Sequence, residues 1–246
     1  MLMPVHSSNP HRTPGGWPSE DERPLPEPGF IRKIGEDLWE GFFVLFVWTL
    51  ALGLLSIPTI VAGIVGVPLG LLVAALLLAP GLAGMMCMTG NMARGGFGRL
   101  GDAWRGVLRL YWRSVALTLP VAIWVTLLLV TANVVSAYSE RRELFIGWAF
   151  QVGIGIVAAV LHIYLFPTLA LHDASLRQAV GLALTLAGKY VWQTLALLAL
   201  GGGLLVAAML YPIVWLFAPE VWCVIAANAT WRLTRRLAAR PGGIDK

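Results

Sequence analysis

Charge is scarce in this sequence. Of 246 residues, 13% are Asp, Glu, Lys or Arg, while 58% are hydrophobic. That is about half the charge of an ordinary globular domain, too little to build a water-soluble surface, so the bilayer is the solvent in which the chain must be read. Cysteine is nearly absent. Cys87 and Cys223 lie in separate apolar segments without Cys-x-x-Cys or Cys/His spacing, which points to small buried hydrophobes and argues against a zinc site or disulfide framework. Catalytic signatures are missing as well. The sequence holds no Walker A, HExxH, GxSxG or paired-carboxylate pattern, so neither an enzyme nor a cofactor or metal site is expected. No basic stretch followed by an apolar run and a small-residue cleavage site opens the chain, so the first spanning helix is expected to do the targeting.

What is present is long apolar runs. Mean hydropathy is +0.75, and several runs exceed the roughly 18 residues that mark a spanning helix. Residues 1–29 carry seven prolines among Ser, Gly and acidic residues, and read as a disordered cytoplasmic tail. Phe30, Ile31, Ile34, Leu38 and Trp39 then recur at helical spacing among charged residues, which suggests an interfacial helix running into the first span. The spans read as Gly41–Val61, Val67–Met88, Val115–Tyr138, Leu144–Leu171, Val191–Trp215 and a short sixth from Pro219 to Leu233. The fold class expected is all-α: a polytopic transmembrane bundle over residues 30–237, of about six spans, with amphipathic connector helices and a cytoplasmic tail at 238–246.

Basic residues near span ends are retained on the cytoplasmic side. Arg94, Arg99, Arg105, Arg109 and Arg113 lie between spans two and three, and Arg232, Arg235, Arg236, Arg240 and Lys246 follow the sixth. The loop before Val67 has no charge, the turn near Pro219 has only Glu220, and YSERREL balances two arginines with two glutamates. Both termini are therefore expected in the cytoplasm of a bacterial-type inner membrane. That bias also favours six spans over five, although about fifteen residues reach only about 22 Å, so the last helix is expected to tilt inward or re-enter. The net charge of +5 and pI near 9.6 have this topological explanation, and nucleic acid is discounted as a partner.

An internal repeat is suggested. Pro80 aligns with Pro167 and Leu82 with Leu169, and a constant offset of 76 pairs Leu100 with Leu176, Ala103 with Ala179, Leu108 with Leu184, Arg113 with Lys189 and Thr118 with Thr194. The two copies would cover 67–138 and 144–216, each a span, surface-helix, span unit in parallel orientation, unlike the inverted repeats common in transporters.

Candidate site residues follow from this arrangement. Arg105, Arg109 and Arg113 stand at i, i+4 and i+8, opposite an apolar face of Leu100, Trp104, Val107, Leu108 and Tyr111, so this connector should lie on the inner leaflet. With Arg99, Arg177 and Lys189, these arginines are the expected contacts to lipid headgroups or a partner. Ser175 and Gln178 are spaced as a capping box for the second connector. His162 is the single titratable group placed well inside a span, and an intramembrane ionisable group is a functional candidate by default. With no acidic partner for it in any expected span, a neutral structural histidine is the preferred reading over a proton relay. Pro58, Pro80, Pro120, Pro167 and Pro212 and the Gly201–Gly203 run read as kinks and close approaches rather than a broken-helix substrate site, and Gly66/Gly70 as one GxxxG packing element.

The stretches LLSIPTIVAG, GRLGDAWRGVLRLYWRSVALTL and YLFPTLALHDASLRQAVGLALTLAGKYVWQTL together resemble the YesL-like family of bacterial integral membrane proteins, over about Phe30 to Leu237. The resemblance implies association with carbohydrate uptake beside binding-protein-dependent sugar transporters, and offers no catalytic residue to carry over. Two functions are thus expected to compete: a non-enzymatic accessory or regulatory component with membrane lipids, transporter permease subunits or its own copies as partners, and a small transporter or channel in its own right.

Overall fold

The computed structural model describes residues 29–137, 142–211, 214–215 and 217–238. The two expected tails, apart from Gly29 and Ala238, lie outside the described residues, as does most of the turn around Ser139. The described residues form helices and no strand: α1 (Phe30–Val65), α2 (Val67–Ala93), α3 (Leu100–Ala137), α4 (Arg142–His172), α5 (Leu176–Lys189), α6 (Val191–Leu210) and α7 (Ala218–Ala238). Five of them, α1, α2, α3, α4 and α6, are long and apolar enough to cross a membrane. The protein is an all-α polytopic membrane bundle.

Two boundaries differ from the sequence reading. The basic connector and the third span form one unbroken helix, α3, because no glycine or proline separates them and Pro120 falls a turn and a half into the apolar part. The second connector is a separate helix, α5, broken from α6 at Tyr190, whose φ of −123° and ψ of 49° leave the helical region. The repeat offset of 76 nonetheless coincides with structure in several places. Leu100 and Leu176 both begin helices, Ala103 and Ala179 are both fully buried, and so are Leu110 and Leu186.

The capping box at the head of α5 is formed: Ser175 N–H donates to Gln178 Oε1 at 3.0 Å and Gln178 N–H donates to Ser175 Oγ at 3.4 Å. Ser175→Ala should therefore lower the thermal unfolding midpoint by the equivalent of about 1 kcal/mol, read by circular dichroism in mild detergent. Gln178→Glu, which keeps the acceptor, should cost far less.

The last helix is 21 residues long, longer than its apolar run suggests, and about 31 Å at 1.5 Å per residue. It is not among the five apolar helices. Packing explains its composition: α7 sits among α1, α2, α4 and α6, with Cys223 to Thr230 buried throughout. A helix that faces protein instead of lipid can carry polar groups. It runs beside only the first half of α1, its start stacking Phe217 on Phe46 and its end bringing Arg232 over Phe30 at 5.4 Å.

The interior is not as free of charge as the sequence reading holds. Asp37, expected on the solvated face of an interfacial helix, is 2% exposed, and Glu220, expected in an outer turn, is also 2% exposed in the first turn of α7. Asp37 Oδ1 accepts from Lys33 Nζ at 2.6 Å and its Oδ2 accepts from Asn228 Nδ2 at 2.8 Å. This joins α1 to α7 across 191 residues of sequence. Periodicity missed it because Asp37 lies one helical turn from Gly41 and Lys33, on the stripe that continues through the buried Leu45 and Thr49.

Candidate functional site

The arginines of α3 do not lie on a flat outer face. Gly84 and Gly106 allow α2 and α3 to cross at close range: a Cβ on Gly84 would stand 2.6 Å from the Ala103 carbonyl oxygen, and one on Gly106 would stand 2.7 Å from Cys87 Cβ. That approach presses the first turns of α3 against the end of α2. The end of α4 arrives beside both, Leu171 packing on Gly90 and Ala170 joining Cys87 and Leu110 in one buried cluster. Between these three helix ends lies a cavity of about 730 Å³ lined by Asn91, Arg94, Asp102, Arg105, Arg109, His172 and Asp173, over Cys87, Gly106, Ala170 and Leu171.

Arg113 Nη1 donates to Asp173 Oδ1 at 2.9 Å and to the Ala174 carbonyl at 3.4 Å. Arg109 reaches Asp173 Oδ2 at 3.6 Å and Cys87 Sγ at 3.8 Å. Arg105 pairs with Asp102 at 3.3 Å. The arginine and Asp173 side chains in these pairs are 40% to 77% exposed, so each pair contributes little stability, in the range of about 0–1 kcal/mol, and can exchange partners. Arg94 stacks over Trp231 at 5.6 Å. Asp173 itself has a φ of 47°, the one non-glycine residue with positive φ among those described, a conformation that Asp and Asn tolerate better than most residues.

Of the residues singled out from sequence, Arg105 and Arg109 line this cavity, and Arg113 reaches it only through its bond to Asp173. Arg99 lines an adjoining recess with Arg94 and Arg105. Arg177 is exposed in the first turn of α5, and Lys189 is exposed at that helix's other end, so neither joins the group. His162 stands apart, inside α4. Its Nδ1 donates to the Ala158 carbonyl at 3.0 Å, its ring lies 6.2 Å from that of Phe166, and its Nε2 is buried with no hydrogen-bond partner. No carboxylate among the described residues pairs with it. The sequence reading missed Asp102 and Asp173 as the acids that face the arginines. Arg113 and Asp173 are 60 residues apart, and no local pattern connects them.

Among the described residues, no three His, Cys, Asp or Glu side chains come together as metal ligands. What the arrangement can do chemically is hold an anion: it presents guanidinium donors in forked geometry over a small apolar floor. The fold and the five apolar helices define a multi-pass α-helical membrane protein with a basic cavity at one end of the bundle. No family model, no curated protein and no solved structure matches the chain.

Proposed function

We propose that this chain is a non-enzymatic membrane component that works by packing beside other membrane proteins, as an accessory or regulatory subunit of a carbohydrate (ABC-type) uptake system in a bacterial cytoplasmic membrane. One observation carries the non-conducting half of this reading. Polar groups crowd one end of the bundle, while α1 beyond Leu52, α2 before Pro80, α3 beyond Ser114 and α4 before Leu161 hold no charged residue except Arg142 and Glu143 at a helix start. A polar solute needs polar lining along its whole route, and among the described residues this half supplies only scattered Ser, Thr, Asn and Gln side chains and no charge beyond that helix start.

The same half presents Leu54, Ile60, Ile64, Phe145, Phe150 and Ile156 outward, an apolar surface suited to lipid or to the spans of a partner. The link to sugar uptake rests on the resemblance of the connector and YLFP stretches to YesL-like proteins, and the cytoplasmic placement of both termini rests on the positive-inside bias. The alternative, a small transporter, draws on His162 and the buried Glu220, both ionisable groups inside the bundle.

Purification of the tagged full chain from its native membrane in mild detergent should recover transporter permease subunits in fixed proportion. In parallel, vesicles reconstituted with the pure chain should pass sugars no faster than empty vesicles. Flux that His162→Ala or Gly202→Leu abolishes would replace this reading with the transporter.

A further inference from the structure

We propose that the basic cavity between the ends of α2, α3 and α4 is a binding site for a phosphate-class anion, and that Asp173 occupies the arginines as an internal competitor until that anion arrives. Three guanidiniums, those of Arg94, Arg105 and Arg109, line from two helix ends a space faced by only two carboxylates, Asp102 and Asp173, and a fourth, that of Arg113, bonds to Asp173. The space of about 730 Å³ accepts a phosphate with its ester substituent. Asp173 places its two oxygens on two different arginines, 2.9 Å from Arg113 and 3.6 Å from Arg109, much as two phosphate oxygens would.

The competitor is held loosely. Asp173 is about half exposed, so water screens both pairs, and its φ of 47° is a conformation with an intrinsic cost. It stands in the three-residue link between α4 and α5, where it can swing aside without moving either helix, since α5 begins from its own cap at Ser175. An incoming phosphate carries more charge and more acceptor oxygens than one carboxylate, so exchange favours it. The chemistry is shared by two sources, a lipid headgroup at the membrane surface and a soluble phosphate ester, because basic pockets between spanning helices suit both.

The test uses the full chain in phosphatidylcholine nanodiscs. Glycerol phosphate is titrated by calorimetry, and phosphatidylglycerol, added at a defined mole fraction, is counted by native mass spectrometry. At least one probe should bind above the phosphatidylcholine background. Binding of phosphatidylglycerol alone assigns a lipid headgroup, and binding of glycerol phosphate assigns a soluble ester. Arg109→Gln and Arg113→Gln should each weaken it about tenfold, the loss of one charge-assisted hydrogen bond, with Arg109→Lys intermediate.

The distinguishing variant is Asp173→Asn, which tolerates the same backbone and changes only the charge. It should tighten binding about threefold, in line with an exposed ion pair. Binding of neither probe by the folded protein overturns the site, and weaker binding by Asp173→Asn overturns the competitor. Should an arginine variant misfold, Asp173→Asn and Arg105→Gln still decide the question, because both alter only exposed side chains.

Discussion

Asp37→Ala is expected to destabilise the folded bundle by on the order of 3 kcal/mol. The carboxylate is 2% exposed and serves two donors, Lys33 from its own helix and Asn228 from α7. Removing it leaves an ammonium whose side chain is only 21% exposed without its counter-ion, and an amide on α7 with one donor fewer satisfied. Such orphaned groups cost more than the intact pair contributes. Arg32→Ala, five positions earlier in α1, breaks the Arg32–Glu36 pair at 2.7 Å, but that pair is 77% and 40% exposed and should cost under about 0.5 kcal/mol. Thermal unfolding in dodecyl maltoside separates the two. Asn228→Ala should fall between them, and the double variant with Asp37→Ala should be less than additive because the two residues share one interaction. An Asp37→Ala protein as stable as Arg32→Ala would mean that the Asp37–Asn228 bond does not hold α7 to α1.

The second large effect is at the crossing of α2 and α3. Gly84→Ala should cost about 2 kcal/mol or more, since the new Cβ meets the Ala103 carbonyl oxygen at 2.6 Å and Val107 Cγ2 at 2.7 Å. The first contact is backbone, so relief requires the two helices to part, and the floor of the basic cavity parts with them. Gly202→Ala makes the opposite case. A Cβ there meets nothing within 4 Å, and alanine is the better helix former by about 1 kcal/mol, so this variant should be neutral or slightly stabilising. The glycine run of α6 attracts notice in the sequence, yet of its members only Gly201 is crowded, by Trp222. The isolated Gly84 and Gly106 hold the closer contact. Run length is a poor guide to which glycine a neighbouring helix needs.

Where local pattern dictates structure, the sequence was legible. Apolar length gave the five long helices, Ser175 and Gln178 gave the head of α5, and continuity of pattern joined the interfacial stretch after Phe30 to the first span. What local pattern does not carry is which helices become neighbours. The arginine stripe of α3 could be read from its spacing, but its partner Asp173 could not, because the pair is made by the arrival of α4 beside α3. Asp37 and Glu220 were misplaced for the same reason. Charge at a helix end normally faces water, and only the insertion of α7 among α1, α2 and α4 turns both inward. Hydropathy undervalued α7 itself, since a helix enclosed by others needs no apolar surface toward lipid.

In this membrane bundle α7 returns to the basic end, so that the end of α7 lies on the same face as the loop between α2 and α3, as the stacking of Arg94 on Trp231 requires. Single-cysteine labelling tests this directly. Cys87 and Cys223 are both buried, and small residues in their place give a background in which Phe97→Cys, Arg236→Cys and Gly66→Cys are introduced singly. Gly66 has a φ of 178°, extended backbone that any residue adopts. Positions 97 and 236 should react with a membrane-impermeant maleimide from one side of the membrane, and position 66 from the other. Labelling of 236 from the side opposite 97 would contradict this arrangement of α7.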